Sequence, residues 1–207
     1  MKRVGVLVVG LLMPLSGCAE DSPYGEFGPS GSAPAPVATF DAEVTVADAE
    51  VQVSYRFANE GDEPLLLINR PAVPAGAGVR YRTDAAYVTE DADGGALLSQ
   101  ALFGFPDTDQ TWASIPRVGV TEVAPGEAVE VEVTSALPLT WFHPFGTDLG
   151  TGSMSLPSDV ARVRFCLGVV GARRPESMTP RTEEDGTRTV GHASAAQHLF
   201  CSEPEEL

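Results

Sequence analysis

"VQVSYRFANEGDEPLLLI", residues 51 to 68, decides the fold class. Val51, Val53, Tyr55 and Phe57 fall on one side of an extended chain, and Gln52, Ser54 and Arg56 on the other. Successive side chains of a strand point to opposite faces, so this period of two reads as a strand buried on one face. The β-branched and aromatic residues at the inward positions suit a pleated, packed surface. "NEGDEP", residues 59 to 64, then supplies Asn, Gly, Asp and Pro, which favour turns, before a second apolar run, Leu65–Ile68.

The same pattern recurs further on. "VEVEV" sets Val129, Val131 and Val133 against Glu130 and Glu132, and "VRFCLGV" sets Val163, Phe165, Leu167 and Val169 against Arg164, Cys166 and Gly168. Turn signals separate these runs: "DGG" at 93–95, "EDG" at 184–186, and "APGE" at 124–127, where Pro then Gly matches a type II turn. The reading is about nine or ten strands with no convincing amphipathic helix, hence an all-β sandwich or barrel. Residues 37–207 form one domain, since about 170 residues without internal repeats suit a single body with long loops.

Two of these segments carry a resemblance. "VQVSYRFANEGDEPLLLI" resembles the second and third strands of immunoglobulin-like domains of bacterial surface proteins, and "VAPGEAVEVEV" is similar to their Pro-Gly turn and following strand. The resemblance implies a single antiparallel, immunoglobulin-like β-sandwich. It implies no activity, because that fold serves as adhesion module, enzyme appendage, chaperone or spacer.

The N-terminus sets the address. Lys2 and Arg3 precede an apolar run, Val4–Leu15, that ends in Ser16, Gly17 and Cys18. A charged start, a short apolar stretch and small residues make a secretory signal, and about a dozen apolar residues fall short of the roughly 20 a spanning helix needs. Leu15-Ser16-Gly17-Cys18 resembles the lipobox of bacterial lipoproteins. The resemblance implies cleavage after residue 17, a diacylglyceryl thioether on Cys18 and attachment to the membrane through that lipid. Ala19 in place of Asp implies the outer membrane in a Gram-negative host, and the outer face of the cell membrane otherwise. Residues 18–36, lipidated Cys18 followed by "AEDSPYGEFGPSGSAPAP", are rich in Gly, Ser and Pro without periodicity and read as a flexible linker, with a coil reach of about 23 Å.

Charge and composition exclude several functions. Without Lys2 and Arg3, 11 basic residues face 29 acids, a formal charge of −18, and no lysine remains. Such a chain offers no basic footprint for nucleic acid. It can hold no P-loop, lysine Schiff base or Ser-x-x-Lys acylation site. "GTGSMS", residues 150–155, fails the Gly-x-Ser-x-Gly pattern at its last position, and His-Glu-x-x-His is absent. No cofactor is implied.

Cys166 and Cys201 lie in strand-like segments of an exported chain, where disulfides persist. Paired strands would let them form a bridge on the polar outer face, with Phe165 and Phe200 inward; a thiol–metal site with the histidines is the alternative. Copper resemblances need crowded His and Met, whereas Met154 and Met178 stand alone. An extended "HASAAQH" would hold His192 and His198 about 20 Å apart. Glu90, Asp91 and Asp93 suggest a calcium loop, but the rest of an EF-hand is missing, so a hairpin tip is the simpler meaning.

"LPLTWFHPFGTDLGTGSMSLPSD", residues 137–159, joins two strands without alternation of its own, and long irregular connections are usually functional or disordered. Trp141, Phe142, His143 and Phe145 argue against disorder. The expectation is that these rings fold inward against Phe103 and Trp112, capping the body; a binding surface for an envelope protein or glycan is the alternative. The expected function is therefore a lipid-anchored, non-catalytic binding or structural module of the cell envelope. An exported copper or calcium carrier, or an enzyme using Asp and Glu pairs, are the alternatives.

Overall fold

A computed structural model describes residues 27–106, 115–149, 152–193 and 196–207. The signal segment, Cys18 and Trp112 lie outside the described residues. In chain order the strands are β1 (Ala38–Val46), β2 (Glu50–Asn59), β3 (Leu65–Arg70), β4 (Ala72–Ala75), β5 (Gly78–Tyr81), β6 (Tyr87–Glu90) and β7 (Ala96–Gln100). There follow β8 (Arg117–Val123), β9 (Ala128–Ala136), β10 (Arg162–Val170), β11 (Arg181–Thr182), β12 (Arg188–Gly191), β13 (His198–Cys201) and β14 (Glu205–Glu206). A short 3₁₀ turn spans Glu176–Met178. The alternating runs read from the sequence are β2, β9 and β10; β1, also nine residues long, is not among them, and the further strands β4, β5, β11, β12 and β14 are two to four residues long, too short to show a period.

β1, β2 and β9 form a three-stranded antiparallel sheet. A nine-stranded sheet, curled like a half-barrel, holds β11-β12-β8-β3-β10-β7-β6, with β13 and β14 also on β10. β4 and β5 pair only with each other, as a separate hairpin. The turns "NEGDEP" and "APGE" both carry the chain from one sheet to the other: β2 to β3, and β8 to β9. In the second, Gly126 takes φ +76° and Glu127 N–H donates to Ala124 O at 3.0 Å, which a type II turn requires of its third residue.

The two sheets face each other across a first core. Val51, Val53, Tyr55, Phe57 and Val133 come from the small sheet, and Leu67, Leu98, Phe165, Leu167 and Val169 from the large one. The opposite face of the small sheet is exposed and carries Asp41, Glu43, Glu130 and Glu132. The large sheet differs: its other face is buried as well. Leu66, Ile68, Tyr87, Val118, Val120, Val170 and Val190 build a second core with Leu102, Phe103, Phe145, Leu149 and Met178. Buried on both faces, "LLLIN" and "GVV" read as continuous apolar runs instead of alternating ones.

This second core corrects two expectations. The body is all-β, with a mixed sheet: β7 runs parallel to β10. It is not clearly a single antiparallel sandwich. The bridge between Cys166 and Cys201 is formed, across paired residues with Cα atoms 4.1 Å apart. Cys166 does not lie on a polar outer face; it is fully buried, between Ser99 of β7 and Cys201 of β13.

Candidate functional site

The 137–159 connection is positioned by backbone pairing. Val88 N–H donates to Phe142 O at 2.8 Å and Phe142 N–H donates to Val88 O at 2.9 Å, so one residue of the loop extends the large sheet beyond β6. Beyond that bridge the chain turns sharply. Phe145 N–H donates to His143 Nδ1 at 3.2 Å, Gly146 N–H to His143 O at 3.0 Å, and Trp141 Nε1–H to Gly146 O at 3.2 Å. A histidine imidazole thus serves as a local cap for its own turn.

The structure brings Trp141, Phe142, His143 and Phe145 together on the second core. His143 and Phe145 are buried, and Trp141 and Phe142 are half-buried. His143 meets Phe103 edge-on at 4.7 Å and stacks on Trp141 at 5.7 Å, while Phe142 and Phe103 each lie 5.3 Å from Tyr87. Such tilted and edge-to-face pairs add to the apolar burial.

His192, from the far end of the chain, enters the same cluster. Its Nδ1 accepts Phe103 N–H at 3.0 Å. Both imidazoles accept at Nδ1, so the neutral rings carry their proton on Nε2. His143 Nε2–H donates a hydrogen bond to Phe27 O at 3.1 Å. His192 Nε2 has no hydrogen-bond partner among the described residues and is enclosed by Tyr87, Phe103 and Phe145. Burial pushes His143 down to about 4, offset in part by the bond to Phe27, and burial then the neighbouring His143 push His192 down to about 3. Both are neutral at physiological pH.

One side of the cluster is open. Between the loop and the β4–β5 hairpin runs a groove of about 620 Å³, walled by Trp141, Phe142, Val79, Tyr81 and Ile115, with Arg117 at one side. Val79 and Ile115 are 53% and 52% exposed. Arg117 is held by Thr189, its Nε donating to Oγ1 at 2.8 Å and its Nη2 to the carbonyl at 2.6 Å, with Glu183 3.5 Å away. Burial and the Glu183 charge raise the Tyr81 hydroxyl, so it stays protonated as a donor. Sequence reasoning missed Val79, Tyr81, Ile115 and Arg117. The available signal was "PAGAGVRY", a Gly-rich turn followed by exposed apolar and aromatic residues.

Of the calcium candidates Glu90, Asp91 and Asp93, the two aspartates are engaged by arginine. Arg164 Nε donates to Asp91 Oδ2 at 2.9 Å, and Arg162 lies 3.1 Å from Asp93. Among the described residues no three His, Cys, Asp or Glu side chains are grouped to hold a metal ion. No protein-family model matches the chain, and no curated protein matches it.

Proposed function

We propose that this protein is a lipid-anchored, non-catalytic binding module of the bacterial envelope, carried on an immunoglobulin-like β-sandwich scaffold, with the aromatic groove as its binding surface. The groove is the observation that carries the reading. Its walls join the rings of Trp141, Phe142 and Tyr81 to the aliphatic Val79 and Ile115, on a floor fixed by the second core, so little order is lost on binding. Trp and Tyr offer wide apolar faces with a polar edge, and Arg117 and the Tyr81 hydroxyl supply directional donors. A sugar ring or an apolar segment of an envelope protein suits that chemistry.

Three further observations support the reading. The sequence Leu15-Ser16-Gly17-Cys18 supplies the attachment point. Two sheets facing across one core, with turns crossing between them, support the immunoglobulin-like relationship. His143 and His192 both hold backbone groups and sit far below the range useful for proton transfer at neutral pH, which favours binding over catalysis.

A photoreactive phenylalanine at Val79, in cells that export the protein, tests the groove. The expected result is a discrete adduct, lost when Trp141→Ala is added and absent when the probe replaces Ser54 on the acidic face. Equal adducts at positions 79 and 54, or an adduct indifferent to Trp141, would contradict the assignment.

A further inference from the structure

The chain that precedes the body is strapped to it. Phe27 packs against the second core, and its carbonyl accepts from His143. Gln197 Nε2 donates to Ser30 O at 2.8 Å, Ala33 N–H donates to Gln197 O at 3.2 Å, and Ala33 O lies 3.3 Å from His198 Nδ1. Gly31 lies so close that a Cβ there would come 2.3 Å from Gln197 O. From Phe27 onward the Gly/Ser/Pro stretch is therefore part of the body.

Only residues 19–26 separate Cys18 from Phe27. Eight residues span at most about 28 Å fully extended, and about 16 Å as a flexible coil. A body of this size is roughly 40 Å across. So short a tether keeps the end bearing Phe27 nearest to whatever holds Cys18. The order of layers says which end that is: exposed acidic face, small sheet, first core, large sheet, second core, then strap and aromatic loop.

That end is also where the exposed apolar side chains collect. Val79 and Ile115 line the groove, and Phe105, 48% exposed, lies 5.2 Å from the Phe145 ring. They are three of the five large hydrophobic side chains exposed among the described residues. Arg80 is exposed beside Val79 on the same hairpin, whereas Asp41, Glu43, Glu130 and Glu132 lie on the opposite face. Apolar and Trp side chains with a nearby arginine suit a lipid–water interface, and anionic headgroups repel the acidic face.

We propose that, while no ligand fills the groove, the groove-bearing face docks on the bilayer surface, with Val79, Ile115, Phe105 and the edge of Trp141 entering the interface and the acidic face turned away; ligand and bilayer then compete for the same side chains. The proposal rests on the anchored reading of Cys18. Tethering makes the contact intramolecular in effect, so a few weakly apolar side chains suffice to orient the body.

The test places one introduced thiol at a time in the full chain, as Val79→Cys, Ile115→Cys or Ser54→Cys. With Cys18 lipidated and Cys166 bonded to Cys201, the new thiol alone takes a fluorophore. The protein is reconstituted into phosphatidylethanolamine–phosphatidylglycerol vesicles containing brominated-chain lipid. Emission from positions 79 and 115 is expected to fall by half or more, with position 54 unchanged. Equal quenching at all three positions, or none at 79 and 115, overturns the proposal. Failure of the anchor reads out separately, as the absence of lipid mass on Cys18. The same probes are then read in Cys18→Ser held by an N-terminal hexahistidine on nickel-chelating lipid, with the same pattern expected and the same results overturning it.

Discussion

Lowering the pH from 8 to 5 should destabilise this protein through two rings, His143 and His192. Each is neutral when folded, held down to about 4 and about 3 by burial, against about 6.5 in the unfolded chain. Between pH 6.5 and 4 the unfolded chain binds protons that the folded one refuses, so stability rises with pH across this window and is lost on acidification. At pH 5 the unfolded rings lie about 1.5 pH units below their own pKa, so each histidine removes about 2 kcal/mol and the pair about 4 kcal/mol. That is a large share of the 5 to 15 kcal/mol typical of a domain. Asp84 and Asp185, lowered by Arg82 and by Thr187 respectively, stay ionised in both states at pH 5 and do not contribute. The assay is urea unfolding at pH 8, 6.5 and 5, with the double variant His143→Asn/His192→Asn in parallel. Asn keeps an acceptor near the Nδ1 position for the Phe145 and Phe103 amides, so the variant should be less stable at pH 8 but nearly flat in pH. A parent protein equally stable at pH 8 and pH 5, or a variant with an undiminished pH slope, would refute the reasoning.

Three other outcomes follow from single contacts. Replacing both Cys166 and Cys201 with Ala opens a loop of 35 residues and should lower stability by about 3 to 4 kcal/mol in the chain-entropy model, read from the urea midpoint of the oxidised parent against the variant. Gln197→Ala removes the bonds to Leu102 N–H, Leu102 O and Ser30 O; it should cost about 2 to 4 kcal/mol and speed amide exchange at residues 30–33, and unchanged exchange there would show that the strap does not depend on this side chain. Thr89→Val takes away a buried hydroxyl with no hydrogen-bond partner among the described residues, so it should be neutral or stabilising by up to about 1 kcal/mol; a loss larger than that in thermal unfolding would mean the hydroxyl has a partner.

What was legible in the sequence is what period two can express. β2, β9 and the first half of β10 alternate because one of their faces meets the first core and the other is polar or exposed. "APGE" and "DGG" were legible because their glycines have few alternatives, and Gly94 and Gly126 both take positive φ. β3 and the end of β10 hid their role, because strands buried on both faces leave no polar residue to mark a period. The burial of Cys166 was hidden because its strand neighbours, Ser99 of β7 and Cys201 of β13, come from distant parts of the chain. The four rings at 141–145 announced themselves by composition, yet the other wall of their groove comes from β5 and from Ile115 and Arg117, 24 or more positions away. The strap was invisible for a different reason. "GPSGSAPAP" has linker composition, and the side chains that hold it, Gln197 and His198, stand some 165 positions away and read in sequence as ordinary polar residues.

The most direct test of the central claim is the intact mass of the N-terminal peptide, taken from the membrane fraction of a bacterium that exports the full chain. The account predicts a mature chain beginning at Cys18, heavier by a diacylglyceryl thioether, with the protein released from membranes in Cys18→Ala. A Cys18 that carries no lipid in the exported protein, or a chain still joined to Gly17, would contradict it.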